Sequence, residues 1–159
     1  MNRYRFVSSW VLGTDVDTLW DLIDNFEHTG WWRGCTFRKI RSGSSGDGVG
    51  DVYLSVFRTR LIYTLSFHST ITRKTRPGCI ELRAAGELEG KGTCTFIPRG
   101  PRCTEVRFVW EVRTTKRWMN RLAPLCRRAF IWNHHRMMRE GARGIADYLG
   151  IRVIHLVEA

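Results

Sequence analysis

The chain has no stretch approaching the roughly 18 consecutive apolar residues that a membrane span requires. Its opening residues, Met-Asn-Arg-Tyr-Arg-Phe, lack the apolar core of a secretion signal. The five cysteines, at 35, 79, 94, 103 and 126, are odd in number and form no C-x-x-C pair. That speaks against a disulfide framework and for reduced thiols. A soluble, cytoplasmic protein is expected. There is no G-x-S-x-G elbow, no His or Cys grouping with metal-ligand spacing, and no pair of carboxylates on one inward strand face. Serine-hydrolase, zinc and glycosidase chemistry are therefore set aside. Gly46-Asp47-Gly48-Val49-Gly50 is followed by a strand pattern, where a phosphate-cradling loop needs a helix terminus. Gly90-Lys91-Gly92 lacks the spacing of a nucleotide-binding loop. No metal and no cofactor is implied.

Acidic residues are also scarce. Fifteen Asp and Glu face 26 Lys and Arg, a formal charge of +11. The cations are mostly arginine and occur along the whole chain, with short runs such as Arg127-Arg128. Such a surface suits loose attraction of anionic ligands or acidic partners, including transient contact with a membrane, rather than nucleic acid as the main partner.

What is present is a core and many rings. The chain has 159 residues, 43% of them hydrophobic and 12% aromatic, with seven Trp. That length suits one domain. Turn signals at Arg58-Thr59-Arg60, Arg76-Pro77-Gly78, Glu87 to Gly92 and Pro98-Arg99-Gly100-Pro101 punctuate segments that alternate with period two. In 61–73, Leu61, Tyr63, Leu65, Phe67 and Ile71 share a face. In 104–113, Val106, Phe108, Trp110 and Val112 do the same. Residues 4–12 form a first strand with Tyr4, Phe6, Trp10 and Leu12 inward, and 35–41 is a less regular strand.

Thr14 or Asp15 can cap a helix whose apolar stripe is Val16, Leu19, Trp20, Ile23 and Phe26. A longer helical region spans 118–149, with Pro124 at its first turn or a kink and Gly150 as its stop. Its stripe runs through Phe130, His134, Met137 or Met138, Gly141, Ile145 and Leu149. The expected fold is α+β: a strongly curved antiparallel sheet of about seven strands around the long C-terminal helix, with two short helices after the first strand. Residues 1–150 form the domain and 151–159 a C-terminal tail that packs back or mediates self-association. Monomer and homodimer both remain open.

Several motifs carry a family resemblance. They are Asp17-Thr18-Leu19-Trp20, Trp31-Trp32, Gly86-Glu87-Leu88-Glu89-Gly90 and Thr104 to Trp110. The stretch Thr115-Lys116-Arg117-Trp118-Met119 through Leu122-Ala123-Pro124, then Phe130-Ile131-Trp132-Asn133-His134, adds to them. Over residues 3–150 the chain resembles the helix-grip superfamily of START domains and birch-pollen-allergen-like proteins, in its bacterial polyketide cyclase/dehydrase-like branch. The resemblance implies a ligand held between sheet and long helix. Trp31, Trp32, Tyr53, Tyr63, Phe67, Phe96, Phe108, Trp110, Phe130, Asn133, His134 and Met138 are the candidate lining residues.

The expected function is binding of a hydrophobic or aromatic small molecule of lipid, polyketide or isoprenoid type. An aromatase/cyclase or dehydratase in the same cavity is the alternative, and a basic-surface interaction module a third reading. Catalysis would rest on His134, whose ring type suits proton transfer. Its other reading is a core histidine bonded to a strand or to Tyr63. His135 points about 100° away, toward solvent.

Overall fold

The computed structural model describes residues 3–59 and 63–159, so the expected start of a strand at Leu61 lies outside the described residues. The chain begins with β1 (Arg3–Leu12), α1 (Val16–Asp24), β2 (Cys35–Arg41) and β3 (Val52–Arg58). β4 (Thr64–Thr75), β5 (Cys79–Gly86), β6 (Leu88–Gly100) and β7 (Cys103–Thr114) follow. It closes with α2 (Arg117–Arg121), α3 (Ala123–Leu149) and β8 (Val153–Glu158). The eight described strands make one sheet in the order β2-β3-β4-β5-β6-β7-β1-β8. Every pairing is antiparallel, and bulges interrupt the register at Val11/Leu12, Lys39/Arg41, Ile71/Arg73 and Pro98/Gly100. Bulges bend a strand and raise its twist, and the sheet curves around the long C-terminal helix.

The helix ends follow from local chemistry. The Asp15 carboxylate accepts from the Thr18 backbone N–H at 2.9 Å and from its hydroxyl at 2.8 Å. This caps α1 and leaves Leu19, Trp20 and Ile23 buried. α3 has Pro124 in its first turn and ends at Gly150, which is left-handed at φ 66°. At 27 residues it is about 40 Å long, enough to run beneath most of the sheet.

One expected detail differs. After α1 no second helix forms. Residues 26–35 instead make successive tight turns, with Phe26, His28, Trp32 and Cys35 N–H groups donating to carbonyls two or three residues back. The segment is tied to α3 by Trp32, whose Nε1–H donates to the Met137 carbonyl at 2.9 Å. Residues 153–158 of the C-terminal tail pack back as an eighth strand on β1, closed by reciprocal Val7–Ala159 backbone bonds of 2.8 Å. Glu158 also accepts from Arg139 of α3 at 3.3 Å.

Close approach of α3 to the turn segment depends on two glycines. A Cβ on Gly144 would stand 1.7 Å from the Trp31 carbonyl oxygen, and one on Gly141 would stand 2.7 Å from the Trp10 and Trp32 rings.

The core is divided. One apolar cluster gathers Trp10, Leu12, Leu19, Trp20, Phe26, Trp31 and Ile145 around α1 and the C-terminal half of α3. Another gathers Tyr4, Phe6, Leu65, Phe67, Leu88, Met119 and Phe130 around the N-terminal half of α3. A domain of this size ordinarily has one contiguous core.

Candidate functional site

The seam between the two clusters is a cavity of about 150 Å³. Its walls come from both: Ile23, Phe26, Trp31, Ile80 and Met138 from one, Leu65, Phe67, Leu88 and Phe130 from the other. Of the candidate lining residues, Trp31, Trp32, Phe67, Phe108, Trp110, Phe130, Asn133, His134 and Met138 face it.

Three candidates do not. Phe96 lies on the same sheet face but under α1, its ring 5.2 Å from that of Trp20. Tyr53 is screened by Phe26, whose ring packs at 5.2 Å, and its hydroxyl faces Asp51 at 3.5 Å. Tyr63 packs on Trp118 of α2 at 6.0 Å. Its buried hydroxyl has no hydrogen-bond partner among the described residues, and burial pushes its pKa up to about 12. Residues that sequence reasoning passed over include Phe26, Phe37, Phe57, Met137, Cys94 and Ser69. Phe57 and Cys94 carried a usable signal, the period-two alternation of β3 and β6.

Among the described residues no wall residue carries a charge. His134 stacks on Phe6, ring centroids 3.9 Å apart and planes 16° apart, instead of bonding to Tyr63 or a strand. Burial, with His135 adding to it, pulls its pKa down to about 3, so the ring is neutral at neutral pH. Burial also drives the Cys94 thiol well up. Both residues nevertheless keep intermediate accessible surface. Because each lines the cavity, that surface faces an apolar space and not bulk water. His135 is partly buried, its Nδ1 lying 3.6 Å from Glu158, rather than directed to solvent.

The polar handles are few. Trp31 Nε1–H is buried without a partner among the described residues. The Asn133 amide, 4% exposed, donates only to the Met137 sulfur at 3.6 Å, a weak acceptor. The Ser69 and Thr29 hydroxyls are already engaged, with Ser55 at 2.7 Å and the Cys35 carbonyl at 3.2 Å. Buried donors and acceptors left open in this way are a place for a guest's polar atom.

A second cleft, about 360 Å³ and polar, lies between the end of α1 and the loop before β3. Four carboxylates, Asp24, Glu27, Asp47 and Asp51, line it with two lysines, which form the ion pairs Lys39–Asp51 at 2.8 Å and Lys74–Asp24 at 2.6 Å. Lys39 holds the Asp51 carboxyl below its usual range.

The architecture has close structural counterparts. An aromatase/cyclase from a Streptomyces species superposes with a TM-score of 0.74 at 9% identity, over 92% of this chain and 93% of that one. The fold is the helix-grip fold. A START superfamily protein from Mycobacterium smegmatis shares it at a TM-score of 0.69 and 12% identity, over 92% and 99% of the two chains. So does norcoclaurine synthase from Thalictrum flavum, solved with dopamine and hydroxybenzaldehyde, at 0.60 and 11%, over 92% and 88%. No protein-family model and no curated protein matches the sequence. In the helix-grip frame the seam cavity lies between the curved sheet and α3. Among the described residues no helix is long and apolar enough to cross a membrane.

Proposed function

We propose that this protein binds a neutral, mostly apolar small molecule with a ring, held between the curved sheet and α3. The carrying observation is the uncharged aromatic seam that splits the core. An ionised guest would lose its hydration there without gaining a counter-ion, which costs several kcal/mol.

Volume narrows the class. An apolar cavity of about 150 Å³ holds a molecule of about benzene size. A fused polyketide or a whole lipid needs more room, which Met137 and Met138 can yield by changing rotamer. A single ring with one hydrogen-bonding substituent suits the space as it stands. Dopamine and hydroxybenzaldehyde, present in the norcoclaurine synthase structure, are molecules of that scale. Asn133 and Trp31 would orient the substituent. His134 would offer a hydrogen bond and not a proton, because its conjugate acid, with a pKa of about 3, is scarcely formed at neutral pH. Binding therefore draws more support than cyclase or dehydratase chemistry.

Thermal unfolding in the presence of paired ligands tests this reading. Benzaldehyde and 4-hydroxybenzaldehyde should stabilise the protein, by about 2.7 kcal/mol at a hundredfold excess over Kd. Benzoate should not. Equal shifts for neutral and ionised members, or none for a panel of neutral single-ring compounds, would remove the proposal.

A further inference from the structure

The positive charge is not spread evenly along the chain. From Val112 to Arg139 there is no carboxylate, while the stretch carries seven arginines and one lysine. Four of these cations are paired with carboxylates from elsewhere: Arg113 with Glu89, Lys116 with Glu87, Arg136 with Glu140 and Arg139 with Glu158. The other four, Arg117, Arg121, Arg127 and Arg128, are exposed and have no carboxylate partner among the described residues; of these Arg127 turns toward the sheet, its guanidinium 5.4 Å from the Tyr4 ring centroid.

The same surface shows large apolar side chains. Trp118 is 43% exposed, Leu122 50%, Leu125 82% and Trp132 47%. Leu125, Arg128, Trp132 and Arg136 recur at three- and four-residue spacing, which puts them on one outward face of α3. The Arg136 guanidinium lies over the Trp132 ring, 5.5 Å from its centroid. On the other side of the helix, Phe130, Asn133 and His134 line the cavity.

We propose that α2 and the first half of α3 form a docking face for an anionic lipid bilayer. Leu122, Leu125, Trp118 and Trp132 enter the interfacial layer, and Arg117, Arg121 and Arg128 meet headgroup phosphates. Other occupants satisfy only part of the surface. A second copy of the chain would set two unneutralised cationic faces against each other. A nucleic acid would answer the arginines and could stack on the tryptophans, but it offers nothing to Leu122 and Leu125, which lie between Arg121 and Arg127. A bilayer with acidic headgroups answers both features at once. The docking face stands whether or not the cavity takes a ligand.

Co-sedimentation of the full chain with two kinds of vesicle tests it: phosphatidylcholine alone, and equal parts phosphatidylcholine and phosphatidylserine. The protein should pellet with the second only, and less as salt rises. Each arginine near an acidic surface is worth about fivefold in partitioning, so Arg121→Gln with Arg128→Gln should weaken binding about 25-fold. Leu125→Asp should weaken it about tenfold or more, because it places a charge where an apolar group inserts. Leu125 is 82% exposed, so the melting temperature of that variant should be unchanged. No sedimentation with acidic vesicles at low salt would overturn the proposal. So would binding that ignores Leu125→Asp, which would mean headgroup adsorption alone. Vesicles left untouched while Leu125→Asp abolishes a dimer or single-stranded RNA binding would overturn it as well.

Discussion

His134 couples the cavity to pH. Its ring lies face to face with Phe6 and is held neutral in the folded protein down to about pH 3 by the apolar surroundings. In the unfolded chain a histidine takes up its proton near pH 6.5. Between those limits the unfolded state binds more protons, so stability falls as pH drops below 6.5, by about 1.4 kcal/mol per unit from this group. His134→Phe keeps an aromatic ring against Phe6 and removes the titration. Urea unfolding at pH 7 and pH 5 should show wild type losing about 2 kcal/mol more than the variant. Carboxylates such as Glu105, held low by Arg99 and Arg107, weaken both proteins alike and drop out of the difference. Parallel losses would mean that the imidazole is not desolvated as described.

At the scale of elements, α3 is seated by what it omits. A glycine in an open helix position gains about 1 kcal/mol when replaced by alanine. Gly144→Ala should do the reverse and cost about 2 kcal/mol, because the new methyl meets the Trp31 carbonyl and the helix must shift. A chemical-denaturation midpoint reads the sign directly, and stabilisation would refute the seating. β8 makes a parallel case at the other sheet edge. Ile151, Val153 and Leu156 pack against the core, so ending the chain after Gly150 should cost about 3 kcal/mol. It also bares the edge of β1, a route to aggregation. A truncated protein that melts like the full chain would show β8 to be dispensable.

The strand faces and the stop at Gly150 were legible in the sequence, because period-two alternation and a left-handed helix cap are local properties. β8 was not, because apolar residues fall on both of its faces, Val153 and Val157 on one and Ile154 and Leu156 on the other. Lining residues were legible only by face. Tyr53 and Phe96 sit on the inner face as expected, yet Phe26 and Trp20 cover them, and nothing in a strand's own pattern shows where α1 will lie.

At the scale of the molecule, the seam sets stability against occupancy. The protein leaves about 150 Å³ open where a larger side chain would bury more apolar surface, at roughly 25 cal/mol per Å². Such a defect is stable only because each cluster closes independently on its own half of α3. Filling it should therefore stabilise the fold and exclude the guest. Cys94 is the place to do this: it lines the cavity from β6, makes no hydrogen bond with a described residue, and its thiol is protonated by burial. Cys94→Leu adds two methyl-sized groups to the open space without introducing a polar atom. The variant should melt a few degrees higher than wild type in the absence of ligand, a gain of about 1 kcal/mol. It should also lose most of the additional stabilisation that a neutral single-ring ligand gives the wild type, as followed by thermal unfolding with and without 4-hydroxybenzaldehyde. If the variant is stabilised and still responds fully to ligand, the guest sits elsewhere. If it is destabilised, the walls around Cys94 are already closed and the split core is not a container.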